Sequence, residues 1–245
     1  MTTRASPIPV SALFILALIV GACSSDTKRA TPATTSPTTT TTTTPATVAP
    51  PTTAPRPVDI SIAVWPTAAS GVRFHEAGAV ARAFATSYLH FVDPVVGQFR
   101  PGDAHSGEVP IRTHGENPSV GPITTLIVRQ LGNDGSWWVL RAETPHIVLT
   151  QPAALARIGS PVRLRGNSTA FEANVQVSIR QDDVIKPMVE SALMGGANGQ
   201  MGPFDASFRF AAPTSRSGAI VLYTVSSATG NVLEATAIRV RLAAN

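Results

Sequence analysis

Cys23 is the only cysteine of the 245-residue chain, and it directly follows the sequence Val20-Gly21-Ala22. A deprotonated thiol is a strong nucleophile near neutral pH, so this side chain can accept an alkyl group as a thioether. An apolar run over Val10–Val20 precedes the two small residues, which is the order of an export signal. We therefore predict that residues 1–22 are cleaved off and that Cys23 is modified at the new amino terminus.

These residues resemble the lipobox of bacterial lipoprotein signal peptides, in which an aliphatic residue and two small residues precede the lipid-bearing cysteine. The resemblance implies a diacylglyceryl group on Cys23 and an acyl chain such as palmitate on its amine. Two or more such chains hold a protein firmly at a membrane. An uncleaved membrane helix would need about 20 apolar residues, and the run here is shorter. We expect a lipid anchor in the cell membrane, on its extracytoplasmic face.

Residues 23–57 consist largely of threonine, proline and alanine, with an unbroken threonine run over Thr38–Thr44. This composition offers little apolar surface to offset the entropy that ordering would cost. We predict a disordered tether that holds the folded part away from the membrane. An O-glycosylated stalk is a second interpretation of the same composition.

Five residues between 58 and 145 raise the question of catalysis: Asp93, Asp103, His105, Glu108 and His114. The two histidines and Glu108 are metal-ligand types, but their spacing matches no known ligand motif. The three carboxylates suggest acid–base chemistry, although Asp93-Pro94 and Gly102-Asp103 are also typical of turns. The chain contains neither a Gly-x-Ser-x-Gly nor a His-Glu-x-x-His motif. We predict no catalytic residue, no metal and no cofactor.

Trp137 and Trp138 are adjacent on a predicted strand, so their side chains point to opposite faces. We expect one to lie in the core and the other to be exposed or covered by the following region. An exposed tryptophan is a common contact anchor, so both are candidate ligand contacts.

The elements of residues 58–145 predict a small α+β domain, with one main helix on an antiparallel sheet. The helix is predicted over Glu76–Phe91, because Val80, Phe84 and Tyr88 recur at its period. Val95–Ser106 is predicted as a loop. The predicted strands are Val58–Val64, Glu108–Thr113, Thr124–Leu131 and Ser136–Ala142.

Residues 146–245 alternate apolar and polar side chains in several short stretches separated by turn residues. The clearest stretches are 162–165, 174–180, 205–210 and 238–242, and Val184–Glu190 is predicted as a further strand. About seven such strands without a helix favour an all-β sandwich of two sheets.

Several residues of this second region carry a family resemblance: Ser160-Pro161-Val162, Gly166, Phe171-Glu172-Ala173, Gly202-Pro203-Phe204 and Gly230. They resemble the immunoglobulin-like domain of bacterial spore germination proteins, over about Ile147–Leu242. The resemblance implies a non-enzymatic module of exported proteins, and it names no ligand. We interpret Glu172 as an exposed or turn residue.

The polar positions of the alternating stretches hold six arginines: Arg163, Arg165, Arg180, Arg209, Arg239 and Arg241. If they share one sheet face, they would attract polymers that carry phosphate or carboxylate, and Arg239 and Arg241 are the candidate contacts. The competing interpretation, which we favour, is an ordinary solvated face.

The formal net charge of +4 is too small to indicate a nucleic acid partner. We predict a non-enzymatic binding or scaffolding protein of the cell envelope, with a cell-wall polymer or another envelope protein as partner. The alternative is an envelope enzyme that processes glycans or peptides, with its site in residues 58–145. A solute-binding lipoprotein would need more helix than the sequence predicts.

Overall fold

The structure is a computed structural model that describes residues 59–114 and 121–243. The predictions for the leader at 1–22, for Cys23 and for the tether at 23–57 lie outside the described residues. The described residues lie in one compact unit. No helix of the described part is long and apolar enough to cross a membrane.

The predicted helix is confirmed, with a shorter range. Helix α1 spans Ala77–Ala83 and continues as a π-helical turn over Phe84–Tyr88. Val80 and Phe84 are fully buried against the sheet. The helix ends before Phe91 because His90 adopts a left-handed φ of 64°, a conformation typical of helix termination.

Fourteen strands lie in the described residues: β1 (Val95–Val96), β2 (Arg100–Asp103), β3 (Ser106–Arg112), β4 (Thr124–Gln130), β5 (Trp137–Glu143), β6 (Ile147–Gln151), β7 (Arg157–Ile158), β8 (Val162–Ala170), β9 (Asn174–Gln181), β10 (Val189–Met194), β11 (Gly196–Ala197), β12 (Gly202–Phe208), β13 (Ser217–Val225) and β14 (Val232–Leu242).

The strands form two sheets. The larger has ten strands in the order β1-β3-β4-β5-β14-β13-β9-β10, with β2 beside β3 and β7 beside β14. The smaller has four strands in the order β11-β8-β12, with β6 also beside β8. Neighbouring strands are antiparallel except β7 with β14 and β8 with β11.

Strand β13 is buried on both faces, and this sets the layering of the molecule. Its residues Ala219 and Val221 belong to the core under the helix. The intervening Ile220 and Leu222 belong to the core between the two sheets. Since successive strand residues point to opposite faces, the larger sheet is the middle layer between the helix and the smaller sheet.

The predicted β-sandwich is confirmed for the C-terminal half, where both sheets share one core. The preceding region has no separate sheet among the described residues, because β5 pairs directly with β14 through Ala142 with Ala237 and Arg141 with Ile238. The boundary predicted between 145 and 146 lies at the turn from β5 to β6. This domain boundary stays a prediction, since the larger sheet is continuous across the two regions.

Three of the predicted elements are wrong. Val58–Val64 is not a strand where it is described: Ile60–Ile62 is a 3-10 turn, because the Asp59 carboxylate accepts from the Ser61 amide at 2.8 Å and draws the backbone into a local turn. Val95–Ser106 is not a loop throughout, since β1 and β2 pair with β3. Val184–Glu190 becomes a strand only at Val189, where β9 supplies a partner.

Candidate binding surface

Arg180 and Arg239 lie on the face of the larger sheet that the helix covers. Both are register partners of Ala219, one on each neighbouring strand. Arg239 is 3% exposed, and it donates to both carboxylate oxygens of Asp182 at 2.6 Å each and to the Ser61 carbonyl at 2.9 Å. The expectation that Arg239 points outward is therefore wrong. The alternation on β14 does not mark a solvent face around Arg239, because both faces of this strand are covered as far as Val240.

Arg180 connects β9 to the end of the helix. Its Nη1 donates to the Tyr88 carbonyl at 2.5 Å, and its guanidinium carbon lies 4.7 Å from the centroid of the Tyr88 ring. Burial raises the pKa of Tyr88 to about 12, although the positive charge of Arg180 acts in the opposite direction. The Tyr88 hydroxyl therefore stays protonated near neutral pH and can donate a hydrogen bond.

A groove of about 530 Å³ opens beside Arg180 and beside Asp182, the partner of Arg239. We call it the aromatic groove, because Trp65, Tyr88 and Tyr223 contribute rings to its wall. The turn after β9 forms its rim, where Ile185 is fully exposed. The remaining lining residues are mainly polar: Thr67, Ser87, His90, Arg180, Gln181, Asp182, Asp183, Val184, Pro187 and Glu190.

Two carboxylates of the aromatic groove already have partners. Asp182 is neutralised by Arg239, and Asp183 accepts from the Thr67 hydroxyl at 2.6 Å. Burial lowers the pKa of His90, and the nearby Arg180 adds to this effect. A neutral imidazole, a tyrosine hydroxyl and carboxylates beside flat rings suit a ligand with both apolar faces and hydroxyl or amide groups.

The two adjacent tryptophans do face opposite sides, as predicted. Trp138 is 1% exposed, with the Arg73 guanidinium over its ring at 5.1 Å. Trp137 is half-buried and packs edge-on against Phe99 at 5.2 Å between centroids. One tryptophan was expected in the core, and Trp138 lies there. The other was expected to be exposed or covered by the following region, and Trp137 is half-buried against Phe99 of its own region. Trp65 lines the aromatic groove, and the sequence analysis did not identify it as a candidate contact.

Arg241 is exposed as predicted, and it lines a second cavity of about 540 Å³ with Arg157 and Arg216. We call this cavity the arginine cleft. The other outward arginines do not share its face. Arg163 and Arg165 both contact the Asp205 carboxylate, at 2.5 and 3.1 Å.

The candidate catalytic and metal residues are not brought together. Asp103 accepts from the His105 amide at 2.7 Å, and this hydrogen bond lowers the pKa of Asp103, so it acts as a turn residue. His105 contacts Gln130 at 2.9 Å, while His114 and Asp93 lie 3.4 Å apart on the surface. Among the described residues no group of three histidine, cysteine, aspartate or glutamate side chains is placed to hold a metal ion.

Glu108 lies apart from these residues, on β3. It lines a shallow cavity of about 510 Å³ that Glu143 and Thr144 also line. Glu172 is exposed at a left-handed φ of 54°, which agrees with its interpretation as a turn residue.

Sequence reasoning also missed a buried carboxylate. Glu234 is 5% exposed and accepts from the hydroxyl of Thr144 and from that of Thr224 at 3.4 Å. Its carboxylate also lies 2.9 Å from Nδ1 of His146. The signal was a single glutamate in the otherwise apolar start of β14. These contacts join the turn between β5 and β6 to β14, so their role is structural.

Comparison with known proteins places one part of the chain. No curated protein and no solved structure matches the chain. Residues 146–231 match a family model described as the immunoglobulin-like domain of bacterial spore germination. The match covers β6 to β13 and leaves out the helix and β14. Residues 146–231 are therefore similar to the immunoglobulin-like domain of bacterial spore germination.

Proposed function

We propose that the protein is a non-enzymatic binding module of the cell envelope and that the aromatic groove is its ligand site. The observation that carries the proposal is the composite wall of this groove. Trp65 and Tyr88 come from the region before the matched domain, whereas Arg180 and Tyr223 come from the domain itself. The immunoglobulin-like family match supports an exported, germination-related setting and a binding rather than a catalytic role.

The chemistry of the groove favours a glycan of the cell wall as the ligand. Sugar rings present flat faces of C–H groups that pack on aromatic side chains, and their hydroxyls need donors and acceptors around the rim. Trp65 and Tyr223 supply faces, while Gln181 and Glu190 supply polar groups. A groove that is open along one side also suits a polymer better than a small enclosed molecule.

The test is co-sedimentation of the chain from Ser24 onward, which keeps all of the described residues, with insoluble cell walls. The exposed groove residues Ile185 and Glu190 are changed to serine and glutamine. We expect the double variant to bind about tenfold more weakly. Met194→Ser is the matched control, because Met194 is also exposed and lies on the same strand as Glu190.

Unchanged binding of the Ile185→Ser/Glu190→Gln variant would show that the groove is not the site. Failure of the unsubstituted chain to bind cell walls would overturn the glycan proposal and leave an envelope protein as the partner to be sought. Thermal melting of each variant separates loss of binding from loss of folding.

We further propose that lipid on Cys23 anchors this module at the extracytoplasmic face of the cell membrane. The support is the order of apolar run, small residues and single cysteine over Val10–Cys23. Cys23→Ala is expected to accumulate as the longer precursor without acyl mass. Intact-mass analysis of the unsubstituted protein checks this, and a mature form that lacks lipid or begins elsewhere would contradict it.

The alternative function is a glycan-processing enzyme, and one observation favours it. Glu108 and Glu143 line the same shallow cavity, and a carboxylate pair is the machinery of most glycosidases. Both side chains are exposed, however, and Glu143 contacts Arg141 at 2.5 Å, so neither has the apolar surroundings of a typical general acid. Cell-wall hydrolysis that is lost in both Glu108→Gln and Glu143→Gln would establish the enzyme.

A further inference from the structure

We propose that the arginine cleft is a binding site for a phosphate group. The cleft is lined by Arg157, Arg216 and Arg241, together with Thr214 and Ser215. It does not include the rings of the aromatic groove, and the proposal does not depend on what that groove binds.

Strand pairing brings the three arginines together from separate parts of the chain. Arg157 on β7 is the direct register partner of Arg241 on β14. Arg216 precedes β13, and its carbonyl accepts from the amide of Leu242 at 2.8 Å, which places it beside the end of β14. Three arginines thus line one cavity of about 540 Å³.

Within the described residues these three arginines form no ion pair, whereas Arg163, Arg165 and Arg239 each contact a carboxylate. None of the three guanidinium groups takes part in an ion pair or a side-chain hydrogen bond there, and no acidic residue lines the cleft. Asp59 is close enough for Arg241 to contribute to the lowering of its pKa, but the Asp59 carboxylate is hydrogen-bonded to Ser61. Like charges directly opposite on paired strands repel each other, so a bound anion would stabilise the arrangement.

The number and geometry of the donors favour phosphate over carboxylate. A carboxylate has two oxygens, which one arginine fork satisfies, whereas a phosphate group can accept from several forks at once. The hydroxyl of Ser215 accepts from the Ser217 amide at 3.3 Å, and its own proton is then available to a ligand. The cleft therefore offers three charged forks and one hydroxyl donor.

The loop that carries Ser215 is already held in place. The side-chain oxygen of Gln181 accepts from the amides of Thr214 and Ser215 at 2.7 and 3.1 Å and from the Thr214 hydroxyl at 3.0 Å. A site whose donors are positioned in advance loses less entropy when the ligand binds. The cavity is larger than a single phosphate ion requires, so the group belongs to a larger molecule, either a soluble phosphate polymer or a lipid headgroup.

The experiment measures binding of inorganic polyphosphate by calorimetry, with the chain from Ser24 onward. Arg157→Gln/Arg241→Gln is expected to weaken binding about tenfold for each arginine removed. Arg100→Gln/Arg209→Gln is the control, because it removes the same charge from two exposed arginines outside the cleft. This control is expected to stay within about twofold of the unsubstituted chain, since distant exposed charges are screened.

Several outcomes would overturn the proposal: binding to neither polyphosphate nor phosphatidylglycerol vesicles, equal losses in the two variants, or equal affinity for polyglutamate of matched charge. Vesicles of phosphatidylglycerol in phosphatidylcholine distinguish a lipid headgroup from a soluble polymer as the source of the phosphate group. Binding to vesicles that is lost in the Arg157→Gln/Arg241→Gln variant supports the site with a lipid headgroup as its phosphate. Binding to polyphosphate without binding to vesicles supports it with a soluble polymer.

Discussion

The Arg239 guanidinium and the Asp182 carboxylate form a two-point ion pair, with both N–O distances at 2.6 Å. The side chains are 4% and 13% exposed, so the pair lies almost entirely out of solvent. Through its third donor, at 2.9 Å from the Ser61 carbonyl, Arg239 also ties the beginning of the described chain to the middle of the larger sheet.

Removing one partner of this pair is expected to destabilise the fold strongly, because Asp182 is left buried without compensation. Arg239→Gln should lower the free energy of unfolding by about 3 kcal/mol. Arg241→Gln, two residues along the same strand but exposed, should change it by less than about 0.5 kcal/mol. Denaturant unfolding followed by circular dichroism measures both values. Similar losses for the two variants would contradict the buried ion pair.

The continuous sheet predicts that the described part of the chain unfolds in one step. All three tryptophans, Trp65, Trp137 and Trp138, lie before residue 146, so their fluorescence reports mainly on the first region. Far-ultraviolet circular dichroism reports on both regions. We expect the two unfolding curves to coincide, and Phe84→Ala to shift both by the same amount.

A fragment of residues 146–245 offers a second check of whether the two regions depend on each other for stability. Without the helix layer it would expose the face of β13 and β14 that carries Ala219, Val221, Ala235 and Ala237. We expect it to associate or to unfold more readily than the longer chain. A stable monomeric fragment would show instead that the sandwich is independent of the preceding region.

The raised pKa of Tyr88 predicts a loss of stability at high pH. The unfolded side chain loses its proton near pH 10, whereas the folded one keeps it until about pH 12. Between these values the folded state binds more protons, so stability that is complete below about pH 10 falls as the pH rises. Denaturant midpoints across this range measure the effect. Tyr88→Phe should make the decline of stability with pH shallower across this range. An unchanged slope of stability against pH in this variant would contradict the raised pKa of Tyr88.

Two glycines are expected to respond to alanine in opposite directions. A Cβ atom at Gly218 would lie 2.1 Å from the Arg180 carbonyl oxygen, so Gly218→Ala should separate β9 from β13 and destabilise the fold. A Cβ atom at Gly78 in α1 meets nothing within 4 Å. Gly78→Ala should therefore stabilise the helix by about 0.5–1 kcal/mol. Thermal melting compares the two variants, and the opposite order of stability would contradict the close approach at Gly218.

Local sequence patterns were sufficient to predict features that depend on a single helix, strand or turn. The period of Val80 and Phe84 predicted the helix, and adjacency alone placed Trp137 and Trp138 on opposite faces. Asp103 was identified as a turn residue, and its contact with the His105 amide lies within two residues. Alternation in residues 146–245 predicted the sandwich because one face of most of its strands meets the core between the sheets.

What the sequence by itself determined is thus the type of most elements, the sandwich of the second half and the family resemblance of its residues. Only the tertiary structure decided which faces are covered. Alternation along β14 cannot show that the helix region packs on its second face, so Arg239 was expected outside and lies inside. The aromatic groove and the arginine cleft likewise depend on residues that are distant in the sequence: Trp65 and Tyr223 line the same groove, and Arg157 pairs with Arg241. A local pattern carries no information about these arrangements, because strand pairing and layer packing set them across the whole chain.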